Sequence, residues 1–320
     1  MLSLQSKDIQ KIKTWKFAGE FLWRKNIQKD QSKLGAWTRE KLIDLGPTFI
    51  KFGQIVSTRS DLYSPAFTRE LESLQDNVPP IDPIYVDEMT QKTSIFSEFE
   101  REPFKSASIG QVHKAKLLDG RDVVVKLRRP DIFDTMKYDT DNVLDIVNFL
   151  EKIGIDTGTS TGYALTESIE YLLSETDYSN EMNNAIKMKT ALKKIKWIKI
   201  PEMYEKYCTD DMLVMELVES KKLTEITDPR VNKKKICEAL ISSYMIQTME
   251  KGLFHADPHP GNLGFSPKGK LVFYDFGLVF YVCARHFGNM SNCRTHRQPG
   301  VCYCVDYVLK HYYYFFFFNG

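Results

Sequence analysis

Three polar residues in the last quarter of the sequence constrain the fold of this chain more than any other feature. Asp257 and Asn262 lie five residues apart in the segment 254–262, and Asp275 opens an Asp-Phe-Gly sequence thirteen residues after Asn262. Phosphoryl transfer uses this order: one loop supplies a base and a Mg²⁺ ligand, and a second Asp holds the metal on the nucleotide phosphates. We therefore predict Asp257 as a catalytic residue and Asn262 and Asp275 as metal ligands. The alternative is a polar loop beside an ordinary hairpin.

The residues between Asn262 and Asp275 predict a β-hairpin. Two short apolar runs, 264–265 and 271–274, flank a turn at 266–270 that is rich in Ser, Pro, Gly and Lys. Asp275 is therefore expected to leave the end of a hairpin that starts directly after Asn262.

A β-branched run that ends in a lysine predicts the phosphate-binding lysine of such a site. Lys126 lies in a predicted strand at 123–127, which follows a strand at 111–117 and a turn at 119–121. Before these strands lies a loop of small residues, whose backbone N–H groups could approach phosphate oxygens closely. We predict that the loop contacts the nucleotide through Ala107, Ser108, Ile109 and Gly110. The alternatives are an edge-strand lysine on a solvated face and an ordinary β-turn.

A carboxylate that orients Lys126 is expected on a helix after its strand. Residues 167–194 are charged and periodic, and we predict one long helix there. On such a helix Asp177 and Glu181 share a face, whereas Glu175 and Glu181 diverge by about 120° and could serve two different lysines. An exposed charged helix is the alternative.

A helix predicted between residues 38 and 59 carries the second lysine. Lys51 and Gln54 lie on a stripe separate from the apolar one, and Gly53 thins the helix between the two stripes. The alternative is an amphipathic helix without a further role. The buried stripe is predicted to consist of Leu42, Leu45, Phe49, Phe52 and Val56.

The middle of the chain predicts the connection between two lobes. An apolar run at 212–218 reads as a strand, and we expect Glu216 and Val218 beside it to meet a nucleotide base through backbone groups. Residues 232–252 predict a helix with Gly252 as its C-cap.

Taken together, five motifs resemble the UbiB/AarF (ADCK) family of atypical kinases over about residues 35–280. They are Lys51-Phe52-Gly53-Gln54, the loop 106–113, Lys126, Glu175-Thr176-Asp177, and the set Asp257, Asn262 and Asp275. The resemblance implies an α+β, protein-kinase-like bilobal fold with an N-terminal helical extension. It also implies that Lys51 pairs with Glu175 and Lys126 with Glu181, and that the extension forms a regulatory lid through Lys51, Gln54, Glu175 and Asp177.

The same resemblance implies an atypical kinase or ATPase that uses ATP or ADP with Mg²⁺ and supports ubiquinone-like prenylquinone metabolism. Expected partners are a nucleotide, a prenylquinone-type lipid and a membrane surface, in a mitochondrion or plastid of a eukaryote or otherwise in the cytoplasm; the oligomeric state stays open. A catalytically impaired pseudokinase or lipid-binding scaffold is the alternative. The net charge of +2 does not favour nucleic-acid binding.

We predict four parts: a helical extension at 1–100, an N-lobe at 101–219, an incomplete C-lobe at 220–280, and an atypical tail at 281–320. The tail holds four of the six cysteines and a run of four phenylalanines without a helical or strand period. We expect the family pattern to stop near residue 278, as in a truncated or mis-assembled gene product, and the tail not to fold. The alternative is a metal site formed by its Cys and His residues.

Overall fold

The computed structural model describes residues 4–57, 63–75, 80–154, 169, 172–228, 231–256 and 260–281. Asp257 and the tail after residue 281 lie outside these ranges. The chain divides into two compact units: unit 1 comprises residues 1–120 and 125–176, and unit 2 comprises residues 121–124 and 177–320. The predicted domain boundaries at 100, 219 and 280 stay a prediction. None of the helices in the described ranges combines the length and apolar character needed to cross a membrane.

Unit 1 begins with a group of helices around one apolar core. Side-chain caps define where several of them begin: Asp30 accepts from the N–H groups of Ser32 and Lys33, and Ser64 from that of Phe67. The helices are α1 (Leu4–Ile27), α2 (Gln31–Leu45), α3 (Pro47–Ser57), α4 (Pro65–Glu72) and α5 (Pro83–Gln91). Phe17 and Phe21 of α1 pack against the core, and α5 buries Val86 outside it; the core itself consists of Leu34, Leu42, Leu45, Phe49, Ile50, Phe67, Leu71 and Leu74.

The single helix predicted between residues 38 and 59 is wrong, because the chain breaks between α2 and α3. Gly46 caps α2 with φ +106°, a conformation that favours glycine, and Pro47 begins α3 without needing an N–H donor. The predicted apolar stripe nevertheless holds in part. Leu42, Leu45 and Phe49 are buried, whereas Phe52 and Val56 pack against the core while partly exposed.

A small antiparallel sheet follows in unit 1. β1 (Phe96–Phe99) and β2 (Lys105–Ser106) both pair with β3 (Gly110–Leu117), which is followed by β4 (Asp122–Arg128) and helix α6 (Ile132–Lys152). The strands predicted at 111–117 and 123–127 are confirmed. Their alternating burial places Val123, Val125 and Leu127 in the interior and turns Lys126 to the other face.

Unit 2 is built from helices and short strands. Its strands are β5 (Ile198–Lys199), β6 (Met212–Glu216), β7 (Lys221–Lys222), β8 (Leu253–His255), β9 (Leu263–Phe265), β10 (Leu271–Phe273) and β11 (Val279–Tyr281). One sheet has the order β5-β10-β9-β7, and β8 pairs with β11. The hairpin predicted between Asn262 and Asp275 is confirmed, because β9 and β10 pair antiparallel.

The helices of unit 2 confirm one prediction and correct another. α8 (Lys233–Met245) is capped by Asn232 and continues as a π-helix (Ile246–Lys251) that ends at Gly252 with φ +61°, as predicted. The single helix at 167–194 is wrong, since α7 (Tyr178–Leu192) begins only after Asp177, whose side chain accepts from the N–H of Asn180. Residues 172–174 are also helical, and residues 175 and 176 form a turn between them and α7.

Candidate functional site

The β9–β10 hairpin brings the two predicted metal-ligand segments together. Tyr274 donates its N–H to the carbonyl of Asn262 at 3.1 Å, which extends the strand pairing by one step. Asp275 follows immediately, and its Oδ1 accepts from the N–H of Gly277 at 3.0 Å. Asn262 and Asp275 are both half-buried. A carboxylate and an amide oxygen are hard donors of the kind that Mg²⁺ prefers.

Two side chains that we did not predict from the sequence donate hydrogen bonds to backbone carbonyls of the Asp-Phe-Gly segment. The ring Nε2 of buried His255 donates to the carbonyl of Asp275, and the N–H of His255 donates to Gln247 Oε1 at 2.9 Å. Asn184 on α7 donates its Nδ2 to the carbonyl of Phe276 at 3.1 Å. The only sequence signal for His255 is its place two residues before Asp257.

Glu216, predicted to meet the nucleotide base, has its carboxylate engaged within unit 2. The carboxylate accepts from the Lys199 ammonium at 2.7 and 2.6 Å and from the N–H of Glu202 at 3.0 Å. The N–H of Leu217 donates to the carbonyl of Asp122 at 3.3 Å. In a trans peptide the two polar groups point in opposite directions, so the Glu216 carbonyl faces away from Asp122. That carbonyl, rather than the side chain, is the candidate contact for a base.

The other predicted hinge residue, Val218, is half-buried and precedes the exposed Glu219. Its carbonyl accepts from the Tyr274 hydroxyl at 3.4 Å. The hinge is thereby connected to the residue that precedes Asp275.

The loop predicted to contact phosphates is fixed by an arginine. The N–H of Ala107 donates to the carbonyl of Gly110 at 2.8 Å and closes the loop. The guanidinium of Arg129 donates to the Ala107 carbonyl at 3.1 and 3.0 Å and to Ser106 Oγ at 3.2 Å. Its own N–H donates to the Ile109 carbonyl at 2.8 Å. Arg129 was not among the predicted residues, although it follows the predicted lysine strand directly.

Packing adds to this restraint. Ile109 lies in a cluster with Ile132 and Met136 of α6, and Ser108 is also buried. The loop is therefore held at its carbonyls by a cation and at its tip by apolar contacts, unlike a loop of glycines that is free to move.

The ion pair implied for the N-terminal extension is confirmed. Lys51 Nζ lies 2.6 Å from Glu175 Oε2, and the two side chains are only 16% and 11% exposed. One turn along α3, Gln54 Nε2 donates to the carbonyl of Leu74 at 2.9 Å. The predicted divergence of about 120° between Glu175 and Glu181 on one helix is nevertheless wrong, because Glu175 precedes α7 and shares no helix with Glu181. Asp177 is exposed and serves as the N-cap of α7.

Lys126 and Glu181 are each described within their own unit. Lys126 is half-buried on β4, and Glu181 is 2% exposed in the first turn of α7. Their pairing, and the role of Asp257, stay predictions. In the part of the chain that the structure describes, no three His, Cys, Asp or Glu side chains are grouped to bind a metal. The alternative Cys/His site of the tail lies outside the described residues.

A buried network in unit 1 anchors the segment before the sheet. Gln111 accepts the N–H of Ile81 at 2.7 Å, so its amide nitrogen is the donor to His113 Nε2 at 2.9 Å. The other ring nitrogen of His113 then donates to the carbonyl of Glu100 at 2.8 Å. Burial lowers the pKa of the imidazole, against smaller opposing effects of the Glu100 hydrogen bond and the Glu102 charge.

Comparison with known proteins identifies similar sequences over most of the chain. The family described as ABC1 atypical kinase-like domain matches residues 73–296. Protein ACTIVITY OF BC1 COMPLEX KINASE 7, chloroplastic, from Arabidopsis thaliana is 34% identical over 289 residues, which cover 87% of this chain and 41% of that protein. Probable protein kinase UbiB from Erwinia tasmaniensis is 34% identical over 252 residues, covering 75% of this chain and 46% of that protein.

A solved structure shows the same fold. The complex of Rv3197 with erythromycin from Mycobacterium tuberculosis matches with a TM-score of 0.54 and 27% identity, over 64% of this chain and 53% of that one. The chain thus spans less than half the length of the curated relatives it matches. The family match continues to residue 296, past residue 278, where we expected the resemblance to stop.

Proposed function

Because the chain belongs to the ABC1 atypical kinase-like (UbiB/AarF) family, with its mixed α+β kinase-like fold, we propose that it binds a Mg²⁺–nucleotide and hydrolyses or transfers its terminal phosphate. The proposed biological setting is prenylquinone metabolism. The names of two relatives, a chloroplastic kinase of BC1 complex activity and a probable protein kinase UbiB, support a quinone-linked role and a plastid setting in a photosynthetic eukaryote.

The β9–β10 hairpin is the observation that carries this proposal. Its closing bond from Tyr274 to Asn262 sets a carboxylate and an amide side chain at one end, both half-buried. His255 and Gly277 restrain Asp275 further. Metal ligands need this kind of orientation by surrounding hydrogen bonds. Both side chains carry the hard oxygen donors that Mg²⁺ prefers.

The residues fit ATP and Mg²⁺ in the following roles. Asn262 and Asp275 would hold Mg²⁺, which when bound neutralises charge on the phosphates. The Glu216 carbonyl and Val218 would contact the base, and residues 107–110 and Lys126 would contact the phosphates. Glu181 would orient Lys126, and Asp257 would position a water or a hydroxyl group. ADP is the alternative nucleotide.

Lys51, Gln54, Glu175 and Asp177 are the residues of the proposed lid. Of these, Lys51 and Glu175 form a mostly buried ion pair. Gln54 donates to the Leu74 carbonyl, and Asp177 caps α7. The lid role therefore rests mainly on Lys51 and Glu175. A prenylquinone-type lipid and a membrane surface are the further partners we propose.

The test is Mg²⁺-dependent nucleotide binding and ATP hydrolysis by the purified chain, with and without a detergent-solubilised prenylquinone. We expect turnover that requires Mg²⁺ and is lost in Asp275→Asn. A folded chain that binds lipid but neither ATP nor ADP would instead support the alternative, a lipid-binding scaffold with an impaired site.

A further inference from the structure

Tyr274 connects three parts of the candidate site in unit 2. Its backbone N–H donates to the Asn262 carbonyl at 3.1 Å, and its own peptide continues into Asp275. Its hydroxyl is hydrogen-bonded to Ser220 Oγ and also reaches the Val218 carbonyl at 3.4 Å. One residue thus contacts both metal-ligand segments through its backbone and the hinge through its side chain.

The side-chain contacts form a series of hydrogen bonds from Ser220 through Tyr274 to Val218, and each bond has a defined direction. Because the Val218 carbonyl can only accept, the Tyr274 hydroxyl donates to it, and the Ser220 hydroxyl then donates to the phenol oxygen. The phenol hydroxyl thus donates to the hinge and accepts from Ser220.

A glycine on the neighbouring strand provides the space for this hydrogen-bond series. A Cβ at Gly264 would lie 2.6 Å from Ser220 Oγ and 3.0 Å from Tyr274 Cε2. Real Cβ atoms do not come as close to another atom as the first of these distances. Any larger residue would push Ser220 and Tyr274 apart. The contact is therefore built into β9 and differs from two side chains that meet on an open surface.

We propose that Tyr274 is a positioning residue that fixes the spacing between the base-binding hinge and the metal ligands. The inference rests on the proposed function, since it concerns how one nucleotide is held at two ends. A ligand held at both ends gains affinity only if a single geometry satisfies both. Loss of the phenol hydroxyl would leave each end intact and let their spacing vary.

The experiment compares three ligands on the wild-type chain and on Tyr274→Phe, which keeps the ring. Adenosine reports the base end, Mg²⁺–tripolyphosphate reports the metal end, and MgATP reports both. Each is measured by displacement of a fluorescent ATP analogue. We expect Tyr274→Phe to bind MgATP about five- to tenfold more weakly, as for loss of one net hydrogen bond, with the other two ligands within about twofold of wild type.

Two variants serve as controls. Ser220→Ala removes the hydroxyl that is hydrogen-bonded to Tyr274 and is expected to reproduce the selective loss of MgATP affinity. Tyr138→Phe removes a hydroxyl that donates to the Lys7 carbonyl at 2.8 Å in unit 1 and is expected to leave all three affinities unchanged.

The outcomes separate this inference from the proposed function. If the wild-type chain binds none of the three ligands, the proposed function fails. If the wild type binds them and Tyr274→Phe binds MgATP equally well, only the positioning role is overturned. An equal loss for adenosine or Mg²⁺–tripolyphosphate would overturn it too, because Tyr274 would then act on one end alone.

Discussion

The two units hold their candidate site residues in different ways. In unit 1, contacts join residues far apart in the sequence: Lys51 meets Glu175, and Arg129 meets the loop at Ala107. In unit 2, the short β9–β10 hairpin and a turn bond to Gly277 position Asn262 and Asp275, and the longer-range bond from His255 is made to the backbone carbonyl of Asp275. Locally built sites should tolerate changes in their side chains, whereas sites built by distant contacts should lose stability when one partner changes.

The largest effect on stability is expected for Lys51→Met in unit 1. The change leaves the Glu175 carboxylate in a site where it is only 11% exposed, without the ammonium that lies 2.6 Å away. Breaking a buried ion pair from one side costs about 3–5 kcal/mol of unfolding free energy. Chemical denaturation would measure the loss.

Lys16→Met is the matched control for this prediction. Lys16 pairs with Glu20 at 3.9 Å on the surface of α1, with a side chain that is 74% exposed, and such pairs contribute about 1 kcal/mol or less. The double variant Lys51→Met/Glu175→Gln should recover much of the loss. Equal effects of the two lysine changes would contradict the importance of burial at the Lys51–Glu175 pair.

Asn262→Ala in unit 2 should lower activity strongly and stability only slightly. The variant keeps the backbone carbonyl that accepts from Tyr274, so we expect the unfolding free energy to change by about 1 kcal/mol or less. It removes a proposed metal ligand, and we expect Mg²⁺-dependent turnover to fall roughly a hundred-fold, as when one preorganised stabilising group is lost. Turnover is compared at saturating Mg²⁺, and a parallel loss of stability would argue against a locally built site.

The same contrast explains what could be predicted from the sequence. The hairpin, the strand of Lys126 and the capped helix at 232–252 follow from local signals, and all three are confirmed. The roles of Arg129 and His255 depend on groups that the fold brings to them, and short-range patterns carry no information on such contacts. The Lys51–Glu175 pair was reached only through the family resemblance, since its helical-angle argument failed.

Boundaries were missed for a related reason. Periodicity continued across Gly46 and across Asp177, so two helices were extended through residues that end or begin one. A Gly-Pro pair after an apolar run and an Asp before a polar run signal the ends of helices. Such signals should outweigh a helical periodicity that continues across them. The apolar stripe survived the error because α2 and α3 face the same core.

Alanine substitutions at Gly53 and Gly19 compare a tightly packed and an uncrowded helical glycine within unit 1. A Cβ at Gly53 would lie 2.4 Å from Leu74 Cδ1 and 2.8 Å from Leu42 Cδ1, whereas one at Gly19 meets nothing within 4 Å. Overpacking should make Gly53→Ala about 1–3 kcal/mol less stable. Gly19→Ala should gain about 0.5–1 kcal/mol, since alanine favours the helix. Thermal unfolding of both variants checks the opposite signs.

The smallest effect is expected from pH at His113. Its pKa in the folded protein lies below the ordinary value of 6.5, so the folded state binds fewer protons than the unfolded state. The stability that it contributes is complete above pH 6.5 and is lost as the pH falls toward the folded pKa. A proton on Nε2 would oppose the Gln111 amide, which would have to turn and release the N–H of Ile81.

The measurement is the difference in unfolding free energy between the wild-type chain and His113→Gln, taken at pH 7.5 and at pH 5.5. Titration of other groups is common to both proteins and cancels in this difference. We expect the advantage of the wild type to be smaller at pH 5.5 than at pH 7.5. A constant difference would show that the folded and unfolded states bind the same number of protons at His113, which would contradict a lowered pKa in the folded protein.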